Sequence, residues 1–221
     1  MQPVIKLAIV FCSVFLFACQ GKSGRVSQSG ESSANDDNSK LISQKYDAGS
    51  SVVQNQTLQT ILNRKSVRDY TGQEISPDIM EQLLRAGMAA PSSKDRRPWH
   101  FIVISDKVIL ENLGTQLKNA SCLKGADKAI VVCGDDELSD NCWFLDCSAA
   151  TQNILIAAEA LGLGAVWTAV YPYDDRAGIV NKTFNLNKNI HPFAIIPLGY
   201  PLEESEAKDK FDESRIHYDK W

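Results

Sequence analysis

The chain has 221 residues, 44% hydrophobic and 23% charged, with a formal net charge of −4. That is enough apolar material for one or two packed domains. The mild acidity, with no long run of Lys and Arg, argues against a nucleic-acid backbone as main partner, and three widely separated His give no metal-ligand spacing.

The chain opens on Lys6 and an uncharged run from Leu7 to Ala18, LAIVFCSVFLFA. A membrane-spanning helix needs roughly 20 apolar residues. This run is shorter and has the length of the hydrophobic region of a signal peptide. It ends in Leu16-Phe17-Ala18-Cys19, which resembles a bacterial lipobox and implies cleavage before Cys19 and lipid attachment to its thiol. A plain signal peptide is the alternative. From Gln20 to about Ser51 the composition is rich in Ser, Gly, Asn and Asp. Such a stretch buries too little surface to offset its ordering entropy and reads as a tether. The expected organisation is a signal peptide over 1–18, a lipidated Cys and tether over 19–53, and a folded domain over 54–221. It places the domain in the cell envelope, facing the periplasm or the exterior. An unprocessed leader would leave it in the cytoplasm.

Beyond the tether, Ser76-Pro77-Asp78 is a helix start: an N-cap, a proline in the first turn and an acid at the positive end of the dipole. Ile79, Leu83, Ala86 and Ala90 then recur at helical spacing, and Pro91 ends the helix. Phe101–Ile104 reads as a buried strand, Val108 to about Asn119 as a helix, and Ala129–Cys133 as a second strand. Asp146–Leu161 is long and Ala-rich, with Gly162 placed as its C-terminal cap. Ala165–Ala169 and Phe193–Leu198 give two more strands, and Asp174 to about Phe184 a helix between them. Elements alternate irregularly, so the class is α+β, a mixed or antiparallel central sheet flanked by helices. No Gly-x-Gly-x-x-Gly follows a strand, and neither a Walker loop nor a Gly-x-Ser-x-Gly or His-Glu-x-x-His motif is present. Cys122, Cys133, Cys142 and Cys147 lie in the folded part and allow three pairings. Cys133, inside the run AIVVC, is expected as a buried free thiol.

One cluster carries chemistry. Arg64-Lys65-Ser66-Val67-Arg68 packs three cations and a hydroxyl into one turn. Taken alone it fits a solvated helix end. It also fits a phosphate monoester site, since guanidinium groups present a planar fork to phosphate oxygens and a hydroxyl adds a donor.

The wider pattern resembles the nitroreductase family of FMN flavoproteins. Arg64-x-Ser66-x-Arg68-x-Tyr70 is similar to that family's opening motif, and Ala90–Phe101, APSSKDRRPWHF, to its Ala-Pro-Ser segment. Asp146–Gly164 resembles its central helix, and Leu198-Gly199-Tyr200-Pro201 with Lys208-Asp209-Lys210 its C-terminal signature. Four segments occur in the family's order across the folded domain. The resemblance implies an intertwined homodimer with two FMN sites at its interface. It implies that Arg64 and Ser66, with Lys208 and Lys210, hold the FMN phosphate. Lys65 would contribute its backbone and turn its side chain to solvent. Arg68 would approach the pyrimidine end of the flavin. Pro91, Ser92 and Ser93 would reach the ring from the other subunit, and Thr168 and Ala169 would lie near N5. Asp95 stands where many members have Asn, and Arg97 where many have Gln. A carboxylate only accepts hydrogen bonds, so Asp95 is expected against flavin N3–H, neutralised by Arg97 or by Arg68.

The implied activity is two-electron reduction of a nitroaromatic, quinone or related small-molecule acceptor by a ping-pong cycle at FMN N5, with no catalytic side chain and no metal. The family's usual donor is NAD(P)H, which is scarce outside the cytoplasm, so an envelope location calls for a quinol or a partner electron carrier instead. Alternatives are a non-catalytic flavin-binding lipoprotein, or a family branch with other flavin chemistry such as dehalogenation, flavin fragmentation or dehydrogenation. Trp99 and Phe101 are expected in the core, Trp167 either there or in the flavin wall, Tyr70 in packing, and His100, His191 and His217 in structural roles.

Overall fold

A computed structural model of the chain describes residues 55–139 and 141–221. The expected signal peptide, Cys19 and tether lie outside the described residues. Helix α1 (Gln56–Asn63) is capped by Asn55, whose side-chain oxygen accepts from the Thr57 and Leu58 N–H groups at 2.9 and 3.2 Å. Helix α2 (Pro77–Met88) begins as its sequence predicts: the Ser76 hydroxyl accepts from Ile79 N–H, with Pro77 and Asp78 in the first turn. Strand β1 (Trp99–Ile104) follows, then α3 (Lys107–Gln116), which ends about three residues early because the chain tightens through Leu117 and Ala120 into a short 3-10 turn, Ser121–Gly125. Next come β2 (Lys128–Asp135), α4 (Trp143–Ala160), β3 (Gly164–Ala165), β4 (Thr168–Ala169), α5 (Asp174–Phe184) and β5 (Ile190–Gly199).

Helix α4 starts one turn before the predicted Asp146, because the Ser139 and Cys142 carbonyls accept the Trp143 and Asp146 N–H groups. It closes at Gly162, whose φ of 72° is left-handed, as expected of a C-terminal cap. The predicted single strand Ala165–Ala169 is two short ones. Ala165 pairs with Leu198 and Thr168 with Ile195 in one continuous register. Pro197 therefore faces Val166 and, having no N–H, interrupts the ladder there.

Every strand pairing is antiparallel, in the order β1-β2-β5-β3 with β4 also on β5. The sheet is thus antiparallel, and the mixed alternative does not apply. Strand alternation sends Ile130 and Val132 into one core with Leu83 and Ile154, and Val131 and Cys133 into another with Leu110, Leu113 and Val180. Helices α2 and α4 cover the first face, α3 and α5 the second. Trp99 and Phe101 belong to the first core, as expected. Cys133 is a buried free thiol, its pKa pushed up to about 12 by burial. Cys122, Cys142 and Cys147 are also free.

One buried carboxylate ties the sheet to the turn before α2. Asp127 accepts from Ile75 N–H at 2.8 Å and from Lys107 and Lys128 Nζ at 3.0 and 3.2 Å. Burial alone would raise its pKa, but these hydrogen bonds hold it below the ordinary carboxylate value. A depressed pKa stabilises the fold above the unfolded-state value near 4 and loses that contribution as pH falls through the folded-state value. Asp127→Ala leaves the Ile75 N–H buried and unpaired. The expected cost is about 1–3 kcal/mol at pH 7, shrinking toward acid pH, as read by chemical denaturation across pH.

Candidate active site

Residues 64–71 leave α1 and run along the sheet edge formed by β3 and the end of β5. Val67 N–H donates to the Ala165 carbonyl at 3.0 Å, Thr71 N–H to Tyr200, and Leu202 N–H to Asp69. Val67 and Tyr70 are buried, so Ser66 and Arg68 are left on the open side. The Tyr70 hydroxyl donates to the Val67 carbonyl at 2.7 Å, and burial raises the phenol's pKa far above its usual value, which keeps it a protonated packing residue.

Arg68 is the shared wall of three recesses. One, of about 340 Å³, lies between Ser66–Asp69 and Leu202–Ser205. A second, of about 390 Å³, adds Cys122 and Tyr70. The third, of about 500 Å³, is floored by Trp167, Thr168 and Ala169 and bounded by Cys122, Tyr173 and Arg176. The Arg68 guanidinium makes no ion pair with a described residue. The Thr168 hydroxyl oxygen is buried, and among the described residues the neighbouring Cys122 thiol is the group that approaches it as a hydrogen-bond partner, which leaves it weakly satisfied for a buried polar group. Burial pushes the adjoining Cys122 thiol up, with the Arg68 charge opposing.

The structure therefore brings Ser66, Arg68, Thr168 and Ala169 to one edge. Lys65 departs from expectation. Its ammonium does not point to solvent but meets Glu159 of α4 at 2.9 Å, with both side chains largely covered. Arg64 is half-buried at the end of α1. Pro91, Ser92, Ser93 and Asp95 lie on the loop between α2 and β1, which lines none of these recesses. Asp95 is paired with Arg97, Nε to Oδ1 at 2.7 Å, rather than with Arg68. That hydrogen bond lowers the Asp95 pKa, so its charge is neutralised as expected of one of the two candidate partners. Lys208 and Lys210 stand on an exposed C-terminal arm and form no ion pair with a described residue.

Arg176, which sequence reading missed, fixes the floor. Its Nη1 donates to the Ala169 carbonyl at 2.8 Å, and its guanidinium lies 3.9 Å from the Tyr173 ring centroid. The signal was present: Tyr173 and Arg176 are three apart at a helix start, the spacing that stacks neighbours on one face. Phe193, bulged out of the β2–β5 ladder, turns its carbonyl to both Val170 and Tyr171 N–H and so ends β4. Trp167 lines the recess and packs edge-on against Phe193 of the first core. His100 lies 3.8 Å from Asp135, and His191 is 2.7 Å from Asp136 and stacked on Trp143, away from these recesses.

An antiparallel sheet between two helix pairs, with Ser66 and Arg68 on the open side of one sheet edge, defines an α+β domain with an edge site for an anionic ligand. The family model described as the nitroreductase family matches residues 61–137 and 114–200. A protein of Methanothermobacter thermautotrophicus, assigned as a candidate NADH dehydrogenase/NAD(P)H nitroreductase, is 43% identical over 166 residues, covering 74% of this chain and 87% of its own. A crystal structure from Parabacteroides distasonis with the same assignment is 54% identical, with a TM-score of 0.75 over 76% of this chain and 99% of that one. An FMN-dependent nitroreductase of Clostridium difficile is 30% identical, with a TM-score of 0.71 over 74% of this chain and 99% of that one. The chain belongs to the nitroreductase family, and its fold is the family's.

Proposed function

We propose that the protein is an FMN-dependent oxidoreductase that passes two electrons from a donor to a quinone, nitroaromatic or related acceptor. The observation that carries this reading is the edge on which Arg68, without an ion pair among the described residues, joins the recess of Ser66 to the recess of the weakly satisfied Thr168 hydroxyl. These groups fit the cofactor: a fork and a hydroxyl for anionic oxygens, and a buried hydroxyl whose one neighbouring partner is a weakly hydrogen-bonding thiol. Bound there, FMN supplies hydride chemistry at N5. Arg64 and Ser66 would hold the phosphate end, Arg68 would place a positive charge beside the pyrimidine, and Trp167 and Ala169 would wall the ring and exclude water. No side chain is assigned as acid or base, because both His of the sheet end are engaged with carboxylates elsewhere.

A homodimer supplies the rest. The C-terminal arm exposes Phe211, Tyr218 and Trp221, and α1 exposes Leu58, Ile61 and Leu62. So much apolar surface on one chain is typical of an interaction surface. Crossing arms in a dimer would cover it and carry Lys208, Lys210 and the Pro91–Ser93 loop to the neighbouring copy's cofactor. Among the described residues no helix is long and apolar enough to cross a membrane. Attachment at the envelope would rest on the lipobox-like Leu16-Phe17-Ala18-Cys19 and a lipid on Cys19, and the donor in that compartment would be a quinol or electron carrier.

The purified protein is expected to be yellow, to be bleached by NAD(P)H or a quinol, and to regain colour with menadione or a nitroaromatic. Bleaching by dithionite alone would make it a binder rather than an enzyme. Radiolabelled palmitate is expected on the wild type and absent from Cys19→Ala. An unlabelled wild type would overturn the anchor.

A further inference from the structure

The loop between α2 and β1 holds three non-glycine residues in the left-handed region: Lys94 and Asp95 at φ 54° and Arg97 at 51°. Such conformations cost on the order of 1 kcal/mol each and persist where surrounding contacts impose them. The loop's own contacts are weak restraints. Ser92 Oγ accepts from Arg97 N–H at 3.0 Å, and the Asp95–Arg97 pair is exposed to solvent on both sides.

Among the described residues, one side-chain contact ties the loop to the interior. Ser93 N–H donates to Asp146 Oδ1 at 2.9 Å. Asp146 stands in the first turn of α4 and is only 5% exposed. Its Oδ2 accepts from the Ser139 hydroxyl at 3.3 Å, and Ser139 is 1% exposed. A carboxylate is a costly way to fill a buried site. Here its two oxygens join two loops distant in sequence, and the Ser139 carbonyl in turn accepts the Trp143 N–H that begins α4. The strained loop is thus pinned to the most buried helix of the fold through one acceptor.

We propose that Asp146 is the positioning residue that holds the Ser92–Arg97 loop in its strained shape and so presents Ser92 and Ser93 to the flavin. The flavin half rests on the function proposed above. The loop half does not.

Lys94 and Arg96 are exposed trypsin sites within this loop. Limited proteolysis of the flavin-free protein therefore reads the anchor directly. Asp146→Ala is expected to raise cleavage after Lys94 and Arg96 about tenfold, because a local opening loses its one buried hydrogen bond. Asp146→Asn keeps an acceptor for Ser93 N–H and is expected to restore the wild-type rate, which a merely structural charge would not. FMN affinity is expected to fall about tenfold in Asp146→Ala and to recover in Asp146→Asn. If Asp146→Ala does not fold, Ser139→Ala, which frees Oδ2 and keeps the carboxylate, is expected to accelerate loop cleavage about threefold. Wild-type cleavage in Asp146→Ala, or in Ser139→Ala where that variant stands in, overturns the proposal, as does an Asp146→Asn cut as fast as Asp146→Ala. Faster cleavage with unchanged FMN affinity overturns the flavin half. A wild type that takes up no FMN overturns the function proposed above, and proteolysis then decides the anchor alone.

Discussion

Arg68→Met is expected to weaken FMN binding about 10–100-fold while leaving the melting temperature where it is. The first expectation follows from the loss of charge-assisted hydrogen bonds, worth about 1.5–3 kcal/mol, at about 1.4 kcal/mol per tenfold. The second follows from the exposure of Arg68 and its lack of an ion pair with any described residue, since such surface changes stay within about 0.5 kcal/mol. The flavin that still binds should show a more negative midpoint potential, because the charge that favours the reduced anion is gone. Arg68→Lys keeps the charge and loses the fork. It should recover the potential better than the affinity. Fluorescence titration and a dithionite redox titration separate the two. A readout independent of flavin exists in Cys122. Burial raises that thiol's pKa, and the Arg68 charge opposes the rise together with hydrogen bonds from the backbone and Thr168, so Arg68→Met should raise it further and slow alkylation at a given pH. Unchanged FMN affinity would remove Arg68 from the cofactor site.

The parts of this picture that were legible in the sequence are the locally coded ones. Helix α5 is found within its predicted bounds, Asp174–Phe184, because acids in its first turn set its start. Ser76 and Gly162 mark their helix ends by capping chemistry that needs no partner. The details that were not legible depend on residues far apart in the chain. Pro197 breaks a strand only because the register sets it opposite Val166. Lys65 turns inward only because Glu159, 94 residues later, lies beneath it. The antiparallel character of the whole sheet is likewise a property of pairing rather than of any one strand. For the site, the sequence named Ser66, Arg68, Thr168 and Ala169, which do converge. It passed over Arg176, Cys122 and Glu159, whose roles arise from what they face. Arg97 was within reach as the partner of Asp95, being two residues away, but it took left-handed backbone at both positions to turn the side chains together.

Gly199→Val should couple the fold to the site. Gly199 and Gly164 face each other across the β3–β5 ladder and make a floor without side chains. A Cβ on Gly199 would sit 2.7 Å from Tyr70 Cβ and 2.8 Å from its Cγ, and one on Gly164 would sit 2.6 Å from Val67 Cγ1. These are the buried base of the segment that carries Ser66 and Arg68, not the free ends of flexible chains, so the segment has to lift. Overpacking of this kind costs about 1–3 kcal/mol, or a fall in melting temperature of ~2–4 °C per kcal/mol for a domain of this size. The lift also breaks the Val67 N–H bond to Ala165 and moves Arg68 away from Thr168, so FMN affinity should fall together with stability. Gly178→Ala is the control. It is an exposed position of α5 with nothing within 4 Å of a new Cβ, and helix propensity predicts a neutral or slightly stabilising change. A Gly199→Val protein that melts and binds FMN like the wild type would show that the Val67–Tyr70 segment can shift without cost. The strand edge would then not be what fixes Ser66 and Arg68.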